Sequence, residues 1–136
     1  MDFIKSIAIA ASGMRAQAGR MRIISENIAN ADSTSSTAGG EPYRRKIPTF
    51  SSALDRSLDA RTVTLGRVRT DQSSFRVKNE PGNPAADAAG NVKYPNVNPL
   101  IEAMDMREAQ RTYEANLNVV TATRQMMGRT LDILRG

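Results

Sequence analysis

Residues 3–30 of the 136-residue chain read FIKSIAIAASGMRAQAGRMRIISENIAN, and the spacing of their apolar side chains decides the fold. Positions alternately four and three apart form a stripe that only one polar residue, Gln17, interrupts: Phe3, Ile7, Ala10, Met14, Gln17, Met21, Ile24 and Ile28. This heptad pattern predicts a helix that packs one side against a partner helix. Residues 30–40 are rich in Asn, Asp, Ser, Thr and Gly, which predicts that the helix ends there.

The other end of the chain repeats this pattern. Asn98 and Pro99 form a favourable helix start, with Asn as the N-cap and Pro at the first helical position. A second stripe follows: Met106, Gln110, Tyr113, Leu117, Val120, Arg124, Met127, Leu131 and Leu134. We therefore predict a second helix that runs to the end of the chain and pairs with the first.

Small residues cover much of the first helix outside its stripe, and they include Gly13 and Gly19. Each glycine inside a helix costs about 1 kcal/mol relative to alanine. Two interpretations stay open. Either neighbouring copies approach this helix closely on several sides, or the helix is buried within its own domain.

The middle of the chain has a different pattern. Val63 and Leu65 alternate with polar residues, as do Phe75 and Val77, which predicts two short strands in a hairpin. The predicted fold is mainly α with a small β insert, the long terminal helices pairing as a coiled-coil-like unit. The predicted division is an N-terminal helix (1–32), a linker or extended loop (33–60), a β-hairpin region with irregular chain (61–97) and a C-terminal helix (98–136).

The composition argues against catalysis. The sequence contains no Cys, no His and no Trp, so thiol nucleophiles, disulfides and Cys/His metal sites are excluded. Acidic pairs at helical spacing, such as Glu102 and Asp105, are typical of a solvated helix face. We therefore predict no enzyme, no catalytic residue, no cofactor and no metal.

The charge and hydropathy patterns limit the classes of partner that can be expected. The net charge is +5, but the basic residues are scattered and aromatic residues make up only 4%, so nucleic acid is not an expected partner. No apolar run reaches the roughly 20 residues of a membrane span. The apolar run Ile7–Ala11 is too short for the core of a secretory signal, so no cleaved signal is expected.

Specific sequence motifs resemble those of a known protein family. Residues 25–33, SENIANADS, resemble the motif that ends the N-terminal helix in the axial proteins of the bacterial flagellar rod and hook. Residues 94–106, YPNVNPLIEAMDM, with RTYEAN at 111–116 and MMGRTLDIL at 126–134, resemble the C-terminal helix of the short proximal-rod members. The stretch Ser33–Thr37 departs from the family pattern, and Tyr43 comes later than the corresponding Tyr of related proteins.

The resemblance implies a structural subunit of the basal-body rod in the periplasm, exported through the flagellar type III apparatus. It implies polymerisation through the terminal helices, which form the drive shaft and the wall of the export channel. Implied partners are further copies of the chain, the proximal rod proteins FlgB and FlgF, and the adaptor FliE. The residues expected at subunit interfaces are Phe3, Ile7, Met14, Met21, Ile24, Asn27, Ile28, Asn30, Met106, Tyr113, Asn116, Leu117, Val120, Met127, Leu131 and Leu134.

Two alternatives stay open. The chain could be a helical adaptor or export chaperone that binds a partner helix through one stripe. Asn27 and Asn30 could simply cap the end of the first helix instead of contributing to an interface.

Overall fold

The structure is a computed structural model, and it describes residues 2–136. The chain has one long helix near each end and six short strands between them in sequence, which confirms the predicted mainly α fold with a small β insert. In chain order the elements are α1 (Phe3–Ala29), β1 (Lys46–Ile47), β2 (Phe50–Asp55), β3 (Ala60–Leu65), β4 (Arg69–Thr70), β5 (Arg76–Asn79), β6 (Asn91–Tyr94) and α2 (Pro99–Arg135).

Side chains cap both helices at their starts. The Asp2 carboxylate accepts a hydrogen bond from the Lys5 backbone N–H at 3.0 Å, which satisfies one of the free donors of the first turn of α1. The Asn98 side-chain oxygen accepts from the Leu100 N–H at 3.1 Å. The predicted start of the second helix at Asn98 and Pro99 is therefore confirmed.

The strands form three separate antiparallel pairs: β1 with β4, β2 with β3, and β5 with β6. The two strands of the predicted hairpin exist as β3 and β5, but each pairs with a different neighbour. Strand β2 reads FSSALD, which lacks a clear apolar alternation, so it was hidden within the predicted linker at residues 33–60. The boundaries of the four predicted segments stay a prediction.

The turn between β2 and β3 explains their pairing. One Asp55 carboxylate oxygen accepts hydrogen bonds from the backbone N–H and the hydroxyl of Ser57, at 2.9 and 2.6 Å. Asp59 takes a positive φ of 45°, a conformation that Asp tolerates better than most residues. These hydrogen bonds within the turn help to place β3 antiparallel to β2.

The chain forms two compact units, and each helix contributes to both. Unit 1 contains the chain up to Met21, Thr49–Arg67 and Arg107–Gly136, and thus the β2–β3 hairpin. Unit 2 contains Arg22–Pro48 and Val68–Met106, and thus the other two strand pairs.

Within unit 1, the N-terminal part of α1 lies antiparallel to the C-terminal part of α2. A Cβ placed on Gly13 would lie 2.8 Å from the Asn116 side-chain amide, and Arg20 forms an ion pair with Glu108 at 3.4 Å. Gly13 therefore leaves room for the Asn116 side chain of α2.

The β2–β3 hairpin packs on another side of α1. The buried Ser12 hydroxyl accepts a hydrogen bond from the Val63 backbone N–H at 3.1 Å, and a Cβ on Gly19 would lie 2.9 Å from the Leu65 side chain. Both helix glycines are thus used for contacts inside the chain. Of the two open interpretations, the structure supports close packing within the subunit at these positions.

The stripe of α2 that is buried inside the subunit differs from the predicted one at alternate positions. Ala109 and Thr123 are buried, whereas the predicted Gln110, Leu117 and Arg124 are exposed. The buried positions of α2 in unit 1 thus carry small side chains, and the large side chain of Leu117 lies outside the buried stripe. An apolar pattern alone selects Leu117, which points away from the packed side.

Gly90 provides a test of the turn that joins β5 to β6. It has a φ of +82°, and a Cβ there would lie 3.1 Å from Pro81, whereas a Cβ on the nearby Gly82 would meet no atom within 4 Å. We expect Gly90→Ala to lower the free energy of unfolding by about 1–3 kcal/mol, because it combines backbone strain with crowding. The matched control Gly82→Ala should stay within about 0.5 kcal/mol of the parent. Urea unfolding measures both, and equal effects would contradict the turn geometry.

Candidate functional site

The side chain of Asn27, near the end of α1, is fully buried and fully hydrogen-bonded. Its amide nitrogen donates to the Lys46 carbonyl at 2.8 Å and to a Glu102 carboxylate oxygen at 3.2 Å. Its oxygen accepts from the Tyr43 hydroxyl at 2.7 Å and from the Lys46 N–H at 2.9 Å. An asparagine side chain has two donors and two acceptor positions, so all of its capacity is used. Asn27 therefore pairs with the backbone of β1 as a neighbouring strand would.

Glu102, in the first turn of α2, is also buried, with only 1% of its surface exposed. One carboxylate oxygen accepts from Asn27, and the other accepts from the Arg45 guanidinium. Two other nitrogens of the Arg45 guanidinium lie 3.6 Å from carboxylate oxygens, one of Asp71 and one of Asp105. A buried carboxylate is tolerated only with such partners, because removing it from water is otherwise expensive.

The pKa of Arg45 reflects this position. Burial alone would lower the pKa of its guanidinium, but the hydrogen bond and charge of Glu102 raise it above its ordinary value, helped by Asp71 and Asp105. Arg45 is therefore a permanent cation that neutralises a group of carboxylates at the start of α2.

A more exposed ion pair flanks the buried part. The Lys46 ammonium donates to the Glu26 carboxylate at 2.9 Å. This hydrogen bond, with the opposite charge, lowers the pKa of Glu26 and raises the pKa of Lys46. Burial raises the pKa of the Tyr43 hydroxyl, which keeps it protonated as a donor to Asn27.

Asn96 extends the network to the chain that follows β4. Its oxygen accepts from the Arg45 backbone N–H at 2.8 Å, and its amide donates to the carbonyls of Asp71 at 2.9 Å and Ser73 at 3.2 Å. We call the side chains of Glu26, Asn27, Tyr43, Arg45, Lys46, Asp71, Asn96 and Glu102 the polar network. All of it lies in unit 2, where it joins the end of α1, strand β1 and the start of α2.

The network resembles a structural joint more than a reactive centre. Its carboxylates are engaged by Arg45, Lys46, Asn27 and local N–H groups. Within residues 2–136, no group of three or more acidic, His or Cys side chains is placed to hold a metal ion. Over the same residues, neither helix combines the length and apolar character that a membrane crossing requires.

Two family models match the ends of the chain. One, described as "Flagella basal body rod protein", matches residues 7–35, and a second, "Flagellar basal body rod FlgEFG protein C-terminal", matches residues 88–133. These ranges contain Asn27 and Glu102, the two residues that meet in the polar network.

Curated relatives cover almost the whole chain. It is 51% identical over 127 residues to the flagellar basal-body rod protein FlgC of Agrobacterium fabrum, which covers 93% of this chain and 91% of the relative. It is 35% identical to FlgC of Bacillus subtilis, with 98% and 99% covered. It is 36% identical to FlgC of Borreliella burgdorferi over the full length of both chains. The chain belongs to the FlgC family of flagellar basal-body rod proteins. The resemblance of its terminal motifs to rod and hook proteins is thereby confirmed.

The predicted interface residues of this FlgC-family chain fall into three classes of exposure. Ile24 and Asn27 are buried, and Ile28, Leu117, Leu131 and Leu134 are exposed. The others are partly buried: Phe3, Ile7, Met14, Met21, Asn30, Met106, Tyr113, Asn116, Val120 and Met127. As an interface between subunits, the set stays a prediction.

The two asparagines of the FlgC-like motif have different roles. The Asn30 amide donates to the Glu26 carbonyl at 2.8 Å, so Asn30 caps the end of α1. Asn27 instead bonds to β1 and α2. Capping therefore explains Asn30 alone.

Sequence reasoning missed most partners of Asn27. The scattered basic residues of the sequence do not single out Arg45 or Lys46, and the helical spacing of Glu102 and Asp105 predicted a solvated helix face. Tyr43 and Asn96 were noted only within their surrounding words. One indication was present in the sequence: Asn27 and Glu102 both lie inside the motifs that carry the FlgC resemblance. Their spacing of 75 residues gives no clue that they touch.

Replacing Asn27 tests the network. Asn27→Leu replaces the amide by an apolar group and leaves the Lys46 N–H and carbonyl, the Tyr43 hydroxyl and one Glu102 oxygen without this partner. We expect a loss of about 3 kcal/mol or more in the free energy of unfolding, because each buried polar group left unsatisfied costs about 1–3 kcal/mol. Asn30→Ala, the control, removes one capping bond and should cost about 1 kcal/mol. Urea denaturation compares the two, and a smaller loss for Asn27→Leu than for Asn30→Ala would refute the role given to Asn27.

The ion pair also predicts a pH dependence. The pKa of Glu26 lies below its ordinary value of 4.5, so the folded state favours the ionised carboxylate. This stabilisation is present above pH 4.5 and is lost as the pH falls through the lower, folded-state pKa. Hydrogen bonds from Ser73 lower the pKa of Asp71 in the same sense. We therefore expect resistance to urea to fall as the pH is lowered below about 4.5. Glu26→Gln should flatten this decline, whereas Glu114→Gln, on the exposed surface of α2, should leave it unchanged.

Proposed function

We propose that the chain is a structural subunit of the flagellar basal-body rod that polymerises through its terminal helices. These helices form the drive shaft and the wall of the export channel. Membership of the FlgC family supports the rod subunit, and the packing of unit 1 supports polymerisation.

Unit 1 buries only small side chains. Its buried residues are Ala10, Ser12, Ala16, Ala109 and Thr123, and every large apolar side chain described there stays at least partly accessible. Among the described residues of unit 1, the only sheet is a two-stranded hairpin, and such a hairpin is marginally stable alone. A helix pair held by so little burial needs further neighbours.

The surface of unit 1 offers what neighbours would cover. Burying one leucine or isoleucine contributes about 1.5–3 kcal/mol, and clustered exposed apolar residues mark protein interfaces. The large apolar residues exposed in unit 1 are Ile4, Ile9, Phe50, Leu54, Val63, Leu117, Val119, Met126, Leu131, Ile133 and Leu134.

Unit 2 contrasts with this. It buries Ile23, Ile24, Val92, Tyr94 and Val97 as well as the polar network. It therefore has a core of its own and folds before assembly. The polymerising helices of unit 1 extend from this folded unit through continuous α1 and α2.

Family membership supports association with other rod components. We propose that these are further copies of the chain, FlgB, FlgF and the adaptor FliE, together with the flagellar type III export apparatus. The subunit works in the periplasm, is exported without a cleaved signal, and has no enzymatic activity. The alternative of a helical adaptor or export chaperone is not favoured, because the curated relatives are basal-body rod proteins.

Leu117 tests the assembly role. It is exposed in the subunit, so Leu117→Asp places a charge at the surface without disturbing a buried contact. We expect this variant to reach the periplasm but to be absent from purified basal bodies, and the cells to be non-motile. Met127→Asp should act likewise, although Met127 is partly buried.

Asn118→Asp is the control, because it adds the same charge at the neighbouring exposed position. It should be incorporated, as judged by immunoblots and electron microscopy of basal bodies. Normal incorporation and motility of Leu117→Asp would count against assembly through this side of α2.

A further inference from the structure

One edge of the β2–β3 hairpin has no strand beside it. Strand β2 (Phe50–Asp55) has β3 as its only strand neighbour among the described residues. In an antiparallel pair, alternate residues turn their backbone N–H and C=O groups toward the neighbouring strand, and the residues between them turn theirs outward. The register therefore decides which backbone groups of β2 form the open edge.

The hydrogen bonds at the end of the pair show which residues of β2 face β3. The Gly66 N–H donates to the Thr49 carbonyl at 2.6 Å, directly beyond the last paired residues. The register continues this pairing in steps of two, so Ser51 and Ala53 also bond to β3 through their backbone groups.

The backbone groups of Phe50, Ser52 and Leu54 consequently point away from β3. Within the described residues, no backbone hydrogen bond satisfies them. Every residue from Phe50 to Leu54 is exposed, so these groups are accessible to another molecule. We call the outward backbone groups of Phe50, Ser52 and Leu54 the β2 edge.

Two other strand edges are covered by side chains of α1. Asn27 bonds to both backbone groups of Lys46 on the outer edge of β1. The Ser12 hydroxyl accepts a hydrogen bond from the Val63 N–H on the outer edge of β3. The chain thus uses buried polar side chains to satisfy outward backbone groups.

The remaining edges are protected in other ways. On the outer edge of β6, the Asp87 N–H donates to the Asn91 carbonyl at 3.0 Å, and the Asp87 carboxylate accepts from the Asn91 N–H at 2.9 Å. Strand β5 carries Arg76 and Lys78, and β4 has only two residues. Charges, short length and covering loops are the usual means of keeping an edge from pairing. Strand β2 has six residues and carries no charge from Phe50 to Leu54, so its edge lacks this protection.

We propose that the β2 edge receives an extended strand of a neighbouring rod subunit, which adds to the β2–β3 hairpin as a third strand. This inference rests on the proposed function, since it names one contact by which neighbours cover unit 1. The outward N–H and C=O groups repeat about every 7 Å along β2. An extended backbone offers acceptors and donors at the same spacing, whereas a helix uses these groups internally.

The side chains of β2 define the added strand further. Phe50 and Leu54 lie on one face of β2 with Ser52 between them, and they are 44% and 56% exposed. Side chains directly opposite each other on neighbouring strands interact, and aromatic and β-branched pairs are favourable. The added strand therefore carries apolar residues opposite Phe50 and Leu54 and a small or polar residue opposite Ser52.

The occupant is a different segment from β2 itself. Two β2 strands that met edge to edge would form an isologous contact, which closes at two copies. A polymer grows through contacts between different surfaces, so the strand that meets the β2 edge comes from another part of the neighbouring subunit.

Ser52→Pro tests the main-chain contact. Proline removes the outward N–H but leaves the backbone bonds of Ser51 and Ala53 to β3, and it is tolerated on an edge strand where the N–H faces solvent. We expect incorporation into basal bodies to fall about tenfold or more, because the edge loses a donor and gains the bulk of the ring. Secretion and the urea midpoint of the free subunit should not change.

Ser52→Ala is the matched control. It removes only the side-chain hydrogen bond from Arg61, at 3.0 Å, and keeps the backbone N–H. We expect normal incorporation. Equal losses for Ser52→Pro and Ser52→Ala would show a contact through the side chain and would overturn the proposal, as would normal incorporation of Ser52→Pro.

Hydrogen exchange of the unaltered chain in purified basal bodies gives a second readout. With a strand added, the amides of Phe50, Ser52 and Leu54 are protected as strongly as those of Ser51 and Ala53. Slow exchange at Ser51 and Ala53 alone would show that β2 remains an edge in the rod, which contradicts the proposal.

A third measurement tests the identity of the occupant. The sequence contains no Cys, so Ser52→Cys provides a single thiol. A covalent dimer in oxidised basal bodies would show that β2 meets itself and would overturn the proposal. Normal incorporation of Ser52→Pro refutes this contact alone if Leu117→Asp still blocks assembly. If Leu117→Asp also assembles normally, the proposed function itself fails.

Discussion

The buried amide of Asn27 joins three parts of the chain that are far apart in sequence. It pairs with the backbone of β1, accepts a hydrogen bond from the Tyr43 hydroxyl and donates one to Glu102 at the start of α2. Arg45 completes the arrangement by neutralising the Glu102 carboxylate. Because every buried polar group needs its partner, these bonds admit one arrangement of the end of α1, β1 and the start of α2.

The subunit separates stability from assembly. Unit 2 combines the polar network with buried Ile, Val and Tyr side chains, whereas unit 1 buries only Ala, Ser and Thr and leaves its large apolar side chains accessible. Such a division fits the proposal that neighbouring subunits cover the exposed apolar side chains of unit 1. Gly13 and Gly19 belong to the internal packing of unit 1, so the surface available to neighbours consists of the exposed aliphatic residues.

Local rules predicted the two helices well, because heptad spacing and the Asn98 cap act within a few residues. They predicted the existence of β3 and β5 but not their partners, since pairing depended on the Asp55 turn and on a strand, β2, without clear alternation. The buried stripe of α2 contains Ala109 and Thr123 but not the predicted Leu117, since the apolar pattern alone does not identify which small residues are buried. The polar network could not be predicted from the sequence, because Asn27, Arg45 and Glu102 are distant in sequence and each has an ordinary local role available. The words that carried the family resemblance nevertheless contained both Asn27 and Glu102.

Hydrogen exchange tests the central claim most directly, namely that unit 2 folds alone and unit 1 is completed by neighbours. Exchange of backbone amides is compared between the free subunit and the same chain in purified basal bodies. The account predicts slow exchange around Ile23, Ile24, Val92 and Val97 in both states. It predicts that Ala10–Ala16 and residues 109–123 exchange rapidly in the free subunit and become protected only in the rod. Equal protection of these terminal segments in the free subunit and in the rod would contradict it.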